Sequence, residues 1–207
     1  MHLVLTINQR DSRRSGDLVP ELLHSLRPIP AAVPFQRSVG DEAQGVAADP
    51  ASAVEAVLTA VRQRRWNIGI GVGALEPPLP DGLAAASGPG LGFSRLAVER
   101  AARKAGDRQP VAVLAPDPEA AAHAEAVLCL LAGIVASRSA AEWRVLDLLV
   151  PGARGQQKYA AQELGISAQA VSRAVIRSQW QEEQAARPAA ARLLQLCLPA
   201  AVPAGLG

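Results

Sequence analysis

The sequence predicts an α+β protein, in which an α/β sandwich built on a single sheet is followed by an all-α domain containing a helix-turn-helix. Strand-like and helix-like segments alternate over residues 1–116, which favours helices packed on a sheet. From residue 117 to 198 the apolar residues recur at helical spacing. Hydrophobic residues make up 49% of the 207 residues, so the chain can bury a sizeable core.

The first segments predict a strand, a helix and a β-hairpin. His2–Ile7 is a short apolar run of β-forming residues and predicts a buried strand. Asp17–Leu26 has leucines at helical spacing, which predicts a helix. Val33–Ser38 and Gln44–Ala48 are the two predicted strands of the hairpin, and the turn signal at residues 40–42 lies between them.

The next segments predict a helix, a strand, a helix and a last strand. Ser52–Arg64 and Phe93–Lys104 are amphipathic and predict helices. Trp66–Gly73 predicts a strand with glycines at alternate positions, which leave room for close approach of a backbone or a ligand. Val111–Leu114 predicts the last strand. The predicted order of elements is therefore β-α-β-β-α-β-α-β.

The helical part begins with a long apolar helix at Asp117–Ser137. We predict that residues 1–116 form the first domain and residues 117–137 a connector or dimerisation helix. Residues 138–198 would form the helix-turn-helix domain, and residues 199–207 a disordered tail. The apolar stretch Ala120–Ala136 is interrupted by His123 and Glu125 and is shorter than the roughly 20 residues that a membrane span needs. The charges at the N-terminus follow the apolar run, the wrong order for a signal peptide, so we expect a cytoplasmic protein.

Composition excludes some classes of function. The net charge of +2 is too small to indicate a nucleic-acid partner by itself. Cys129 and Cys197 lie on separate apolar runs and are expected to be buried, reduced residues. No two of the three histidines have the spacing of metal ligands, which argues against a zinc site.

The strongest motif is the helix-turn-helix pattern at Gln157–Ile176. Ala161 is the small residue needed where the two helices cross, and Gly165 can adopt the positive φ of the turn. Ser167 can cap the second helix. The apolar positions expected to pin the pair to the rest of the protein are Ala160, Leu164, Ile166, Val171 and Ala174.

The outward face of this motif carries side chains suited to DNA. Glutamine and arginine read adenine and guanine edges in the major groove, and basic residues on the first helix would meet phosphates. We therefore predict a transcriptional regulator that binds double-stranded DNA as a homodimer. A helical hairpin used for protein contacts is the alternative. The predicted DNA-binding residues are Arg154, Lys158, Ser167, Gln169, Ser172, Arg173 and Arg177.

Four blocks of the first domain carry a family resemblance. They are Ile7–Arg13, Gly40–Gly45, Ile68–Gly73 and Gly88–Ala101. Their order resembles the SatD family, whose C-terminal part often looks like the helix-turn-helix of sigma-factor region four. That family is distantly similar to nucleotidyl cyclases and GGDEF-type domains. The resemblance implies a ferredoxin-like sheet on which two acidic residues hold Mg²⁺ beside a nucleotide.

The resemblance also implies a set of ligand residues. The first strand acid of the family is replaced by Asn8, whereas Asp11 matches the second acid and Asp41 or Glu42 the acid of the turn. Because asparagine has no charge, we expect a pocket that binds a nucleotide but does not catalyse, and the resemblance implies Asp11 and Asp41 as the residues that would hold Mg²⁺ there. The predicted ligand-binding residues are Asn8, Asp11, Arg13, Asp41, Glu42, Gly69 and Gly71.

Two alternatives stay open for the first domain. Residues 40–45 can be a plain hairpin turn, with Asp11 and Arg13 as a surface ion pair. The protein can also be a nucleotide-processing enzyme whose helical domain is an adaptor for a partner.

Overall fold

The structure, a computed structural model, describes residues 1–76, 83, 86–104 and 109–198. The tail predicted at residues 199–207 lies outside the described residues. Five strands form one sheet: β1 (His2–Gln9), β2 (Ala31–Arg37), β3 (Glu42–Ala47), β4 (Trp66–Gly73) and β5 (Val111–Leu114). Their order is β2-β3-β1-β4-β5.

The sheet has a ferredoxin-like arrangement with one added edge strand. β1 is antiparallel to both β3 and β4, and β2 is antiparallel to β3. β5 pairs with β4 in parallel. The predicted α+β class, with a ferredoxin-like part followed by helices, is therefore confirmed.

Nine helices are present among the described residues. They are α1 (Ser12–Ser15), α2 (Val19–Leu26), α3 (Pro50–Gln63), α4 (Pro89–Lys104), α5 (Pro118–Ser137), α6 (Ala140–Leu146), α7 (Gln156–Leu164), α8 (Ala168–Arg177) and α9 (Trp180–Leu196). The one-turn helix α1 has no counterpart in the prediction. α4 begins four residues before the predicted start at Phe93, because the Pro89 ring fits the first turn of a helix.

The main core lies on one face of the sheet, beneath α2, α3, α5 and α9. Leu5, Ile7, Ile68 and Ile70 point to this face and are fully buried. α4 covers the opposite face, where alternation along β4 places the glycines between the buried isoleucines. The sheet is therefore covered by helices on both faces.

The long helix α5 is part of the main core, which differs from its predicted role as a connector. Leu128, Leu131 and Val135 are buried in the same cluster as the strands. α9 returns to this cluster as well and buries Ala190 and Leu194 there. The predicted boundaries at residues 117 and 138 therefore do not separate two independent cores. Among the described helices, α5 is the one that is long and apolar enough to span a membrane by length and composition.

A second, smaller core holds α6, α7 and α8 together. It consists of Val145, Leu146, Ala160, Ala161, Val171, Ala174 and Val175, and Trp143 packs against both this core and the main one. A buried ion pair lies at the junction of the two cores. Nη2 of Arg138 is 3.2 Å from Oε2 of Glu183, and the two side chains are 1% and 0% exposed. The helix-turn-helix is thus attached to the sheet part by buried contacts.

Candidate functional site

The turn between α7 and α8 has the predicted backbone conformation. Gly165 has a φ of 64°, in the left-handed region that glycine adopts at little cost. The amide of Ile166 donates to the carbonyl oxygen of Ala161 over 3.0 Å, which closes the end of α7. The Ser167 side chain accepts a hydrogen bond from the Ala170 amide, 3.2 Å away, and caps α8 as predicted.

The apolar positions pin the two helices as predicted, with one correction. Ala160 and Val171 are fully buried, and Ala161 and Ala174 nearly so. Ile166, predicted to be buried with them, is exposed. It follows Gly165 directly, where the chain reverses at the surface, so its side chain projects away from the small core.

Six of the seven predicted DNA-binding residues are exposed, and Ser172 is half-buried. Within the part of the chain that the structure describes, Lys158, Gln169 and Arg173 have no hydrogen-bond or ion-pair partner on their side chains. Nε of Arg177 instead lies 3.6 Å from Oε1 of Glu142 on α6. Arg177 is therefore directed toward a neighbouring helix, whereas Arg173 is available to an external partner.

Two exposed apolar residues on this unit were not predicted. Tyr159 on α7 is 56% exposed and Ile176 on α8 is 70% exposed. Tyr159 follows Lys158, and Ile176 precedes Arg177. The one signal that could have indicated them is an apolar residue at a helix position where the spacing predicts an exposed side chain. An apolar side chain on such a surface can contact a thymine methyl group or a protein.

The other candidate site lies where β1 ends beside the β2–β3 turn. Nδ2 of Asn8 donates to Oδ1 of Asp41 over 3.0 Å, and Glu42 is the β3 residue paired with Asn8. Asp11 does not join them, since no group of three or more Asp, Glu, His or Cys side chains that could hold a metal ion occurs among the described residues, and the Asp11 side chain is exposed. The predicted convergence of three acids therefore fails at Asp11.

Burial raises the pKa of Glu42, while the Ser38 side chain and the charge of Arg95 oppose the shift. The neighbouring Asp41 contributes least to this shift. The pKa of Glu42 is therefore raised mainly by burial and not by a cluster of neighbouring acids. This physical cause differs from the charge repulsion that a two-acid metal site would produce.

A cavity of about 380 Å³ opens at this end of the sheet. Of the predicted ligand residues, Arg13 and Asp41 line it, together with Gln9, Asp17 and Arg37, which were not predicted. The Gln9 side chain donates to the carbonyl oxygen of Gly16 and accepts from the amide of Leu18. Nη2 of Arg37 is 2.5 Å from Oδ2 of Asp17. Arg37 and Asp17 stand 20 positions apart in the sequence, so no local pattern indicated their contact.

Of the two alternatives predicted for the glycines of β4, close approach of a backbone or of a ligand, the structure shows the backbone. A Cβ atom at Gly69 would lie 2.2 Å from the backbone nitrogen of Val98, and one at Gly71 would lie 2.2 Å from that of Ser94. The backbone of α4 fills this space. Both glycines are therefore packing residues and leave the predicted ligand set.

The Mg²⁺ site on Asp11 and Asp41 that the resemblance implies stays a prediction, and no contact between these two side chains is present in the described residues. The described residues contain no group of three or more side chains suited to a metal. One oxygen of Asp41 already accepts the amide of Asn8, and Asp11 is not among the residues lining the cavity. The basic side chains Arg13 and Arg37 suit an anionic group instead.

Comparisons with models of protein families, with curated proteins and with solved structures found no match to this chain.

Proposed function

We propose that this protein is a DNA-binding transcriptional regulator in which α8 is the recognition helix. The observation that supports the proposal most directly is the exposed, unpartnered pair Gln169 and Arg173 on the outer face of α8. In helix-turn-helix proteins the N-terminal residues of the second helix contact base edges. Gln169 is the second and Arg173 the sixth residue of α8, about one turn apart, so both can face one stretch of the groove.

The basic residues around α8 divide into two groups. Lys158 and Arg154 are exposed near the start of α7, where phosphate contacts would set the position of the motif on the duplex. Arg177 is at the last turn of α8 and lies beside Glu142. We assign Arg177 to the phosphate backbone or to the support of α8 rather than to base reading.

The proposal includes a homodimer, because a single helix-turn-helix reads only a short half-site and two-fold pairing extends it. Leu130 on α5 is 71% exposed, on a helix that buries one face in the main core, and it is the kind of residue that such an interface would cover. A strictly monomeric mass in light scattering, with and without DNA, would refute this part.

For the first domain we propose a ligand-sensing role without catalysis, in line with its resemblance to the SatD family. Arg13 and Arg37 would hold an anionic group, such as a nucleotide phosphate, in the cavity at the end of the sheet. Calorimetry with nucleoside triphosphates tests this role. Turnover of the nucleotide would favour the alternative of a nucleotide-processing enzyme.

A protein-contact role for the helical part is the second candidate, and exposed Tyr159 and Ile176 favour it. Selection from a randomised pool of DNA duplexes separates the two. A regulator enriches one sequence and binds it with an affinity that falls as salt is raised. A protein-contact module enriches no sequence.

A further inference from the structure

A cleft between the sheet part and the helical part is distinct from both sites described above. It has a volume of about 380 Å³ and lies between α3, α6 and α9. The indole rings of Trp143 and Trp180 line it together with Leu58 and Leu146. Small-molecule sites are typically concave, mostly apolar, roughly 300–1,000 Å³ in volume and equipped with a few polar groups. The cleft has a volume in this range, and polar and apolar groups contribute about equally to its lining.

The polar groups of the cleft differ in how firmly they are held. Arg138 and Glu183 form the fully buried pair, and Arg187 contacts both Glu183 and Glu55. Arg62 lies at the open side, where its two terminal nitrogens are each 2.7 Å from an oxygen of Asp147. The side chains of Arg62 and Asp147 are 43% and 48% exposed. Because both side chains of this pair are partly open to solvent, an external carboxylate can reach Arg62 and compete with Asp147.

The ring of Trp143 restricts the shape of such a ligand. The guanidinium carbon of Arg62 lies 4.1 Å from the centroid of this ring, so the planar fork of Arg62 is held in a fixed orientation. A guanidinium fork matches a planar carboxylate through two parallel hydrogen bonds. Arg62 and Arg138 both lie over the Trp143 ring. The apolar surface for a flat body therefore comes from Trp180, Leu58 and Leu146. Arg138 and Arg187 already have carboxylate partners, so Arg62 can accommodate one negative charge.

We propose that this cleft binds a small, flat, singly charged carboxylate, which replaces Asp147 on the guanidinium of Arg62. Asp147 directly follows α6 as its C-cap residue. Its contact with Arg62 on α3 therefore links α6 to α3. Ligand binding therefore releases one of the links between the helical part and the sheet part. The site and its ligand class do not depend on the proposed DNA binding.

The test is calorimetric titration of the full chain with benzoate, a flat monocarboxylate. Arg62→Gln should weaken benzoate binding by at least tenfold. Asp147→Asn should strengthen it, because the competing carboxylate is removed, and a misfolded variant cannot mimic a gain. Arg103→Gln is the matched control, since it breaks an exposed ion pair with Glu99 on α4, outside the cleft, and it should leave the affinity unchanged.

Two further titrants define the ligand class. Benzyl alcohol, which has the ring without the charge, should bind more weakly than benzoate, and so should sulfate. The proposal is overturned if neither the parent nor Asp147→Asn binds benzoate, if Asp147→Asn binds no more tightly than the parent, or if sulfate or benzyl alcohol binds as tightly as benzoate.

Discussion

Nε of Arg138 donates a hydrogen bond to the carbonyl oxygen of Ser178, 2.9 Å away. Ser178 directly follows α8 as its C-cap residue, and Arg138 directly follows α5. The guanidinium therefore joins the C-terminal end of the proposed recognition helix to the helix that completes the main core. Arg64 strengthens the junction, since its Nη2 donates to the carbonyl oxygen of Arg138 over 2.7 Å.

Breaking the buried pair should be costly. Arg138→Met should lower the free energy of unfolding by about 1–3 kcal/mol, because it removes one of the two guanidinium groups that pair with the buried carboxylate of Glu183, leaving Arg187, and also removes the hydrogen bond to Ser178. The double variant Arg138→Met/Glu183→Gln should lose less than the sum of the two single losses. Urea unfolding measures both. Arg144→Met, at an exposed position on α6, is the control, and an equal loss there would contradict the role of the pair.

The glycines of β4 provide a second prediction. Gly69→Ala and Gly71→Ala should each destabilise the protein by about 1–3 kcal/mol or more, because the added methyl group meets the backbone of α4 and forces it away from the strand. Thermal unfolding of the protein without ligand measures this loss. Unchanged stability in both variants would indicate free space beside β4. It would then support the predicted role of these glycines in a ligand pocket.

A third prediction compares two glycines that have no atoms near the position of an added Cβ. Gly165→Ala should cost about 1–2 kcal/mol, because its φ of 64° lies in the left-handed region. Gly92→Ala lies within α4 and should stabilise by about 0.5–1 kcal/mol through its higher helix propensity. Chemical denaturation gives both values. The same sign of change in the two variants would contradict the assigned conformation of the turn.

Local patterns were sufficient to predict most elements of the fold. The β4 range was predicted without error, and Gly165 and Ser167 have the turn and cap roles that their residue types favour. The burial of α5 was missed because its apolar residues suit an interface with another chain as well as one with α9. α9 and α3, two of the elements that pack on α5, lie more than 40 positions away in the sequence, so periodicity within α5 could not identify them.

The candidate sites were predicted less completely than the fold. Exposure of Gln169 and Arg173 follows from helical periodicity, and it was predicted. Which residues line the sheet-end cavity depends on the directions of side chains in loops. The alternation of side chains along a strand does not predict those directions. Asp11 shows this, since its left-handed backbone lies in a loop where no strand pattern applies. The alternating glycines were correctly read as a site of close approach, but the approaching group is the α4 backbone.

A fourth prediction concerns acid. The backbone amide of Ser139, 2.8 Å from Oε2 of Glu142, lowers the pKa of Glu142 below its ordinary value of 4.5. Because the folded-state pKa is the lower one, this carboxylate stabilises the fold above about pH 4.5, and the contribution is lost as the pH falls through the folded-state pKa. Glu142→Gln should therefore reduce the free energy of unfolding near neutral pH by about 1 kcal/mol. It should also make the loss of stability with falling pH smaller than in the parent.

Urea unfolding at a series of pH values measures this effect. Glu163→Gln, at an exposed position on α7, is the matched control. If both variants reduce the loss of stability at low pH equally, the hydrogen bonds between Ser139 and Glu142 are not the source of that loss.

The central claim is that α8 reads DNA, and the most direct test is fluorescence anisotropy on a selected duplex at several salt concentrations. Arg173→Ala should weaken binding to that duplex by about 5- to 150-fold, which corresponds to roughly 1–3 kcal/mol, and relax the preference for one base pair. Lys158→Ala should weaken binding to all duplexes alike and reduce the salt slope by about 1. Arg27→Ala, at an exposed position after α2, should bind like the parent. Parental affinity and sequence preference in both the Arg173 and the Lys158 variants would contradict the claim.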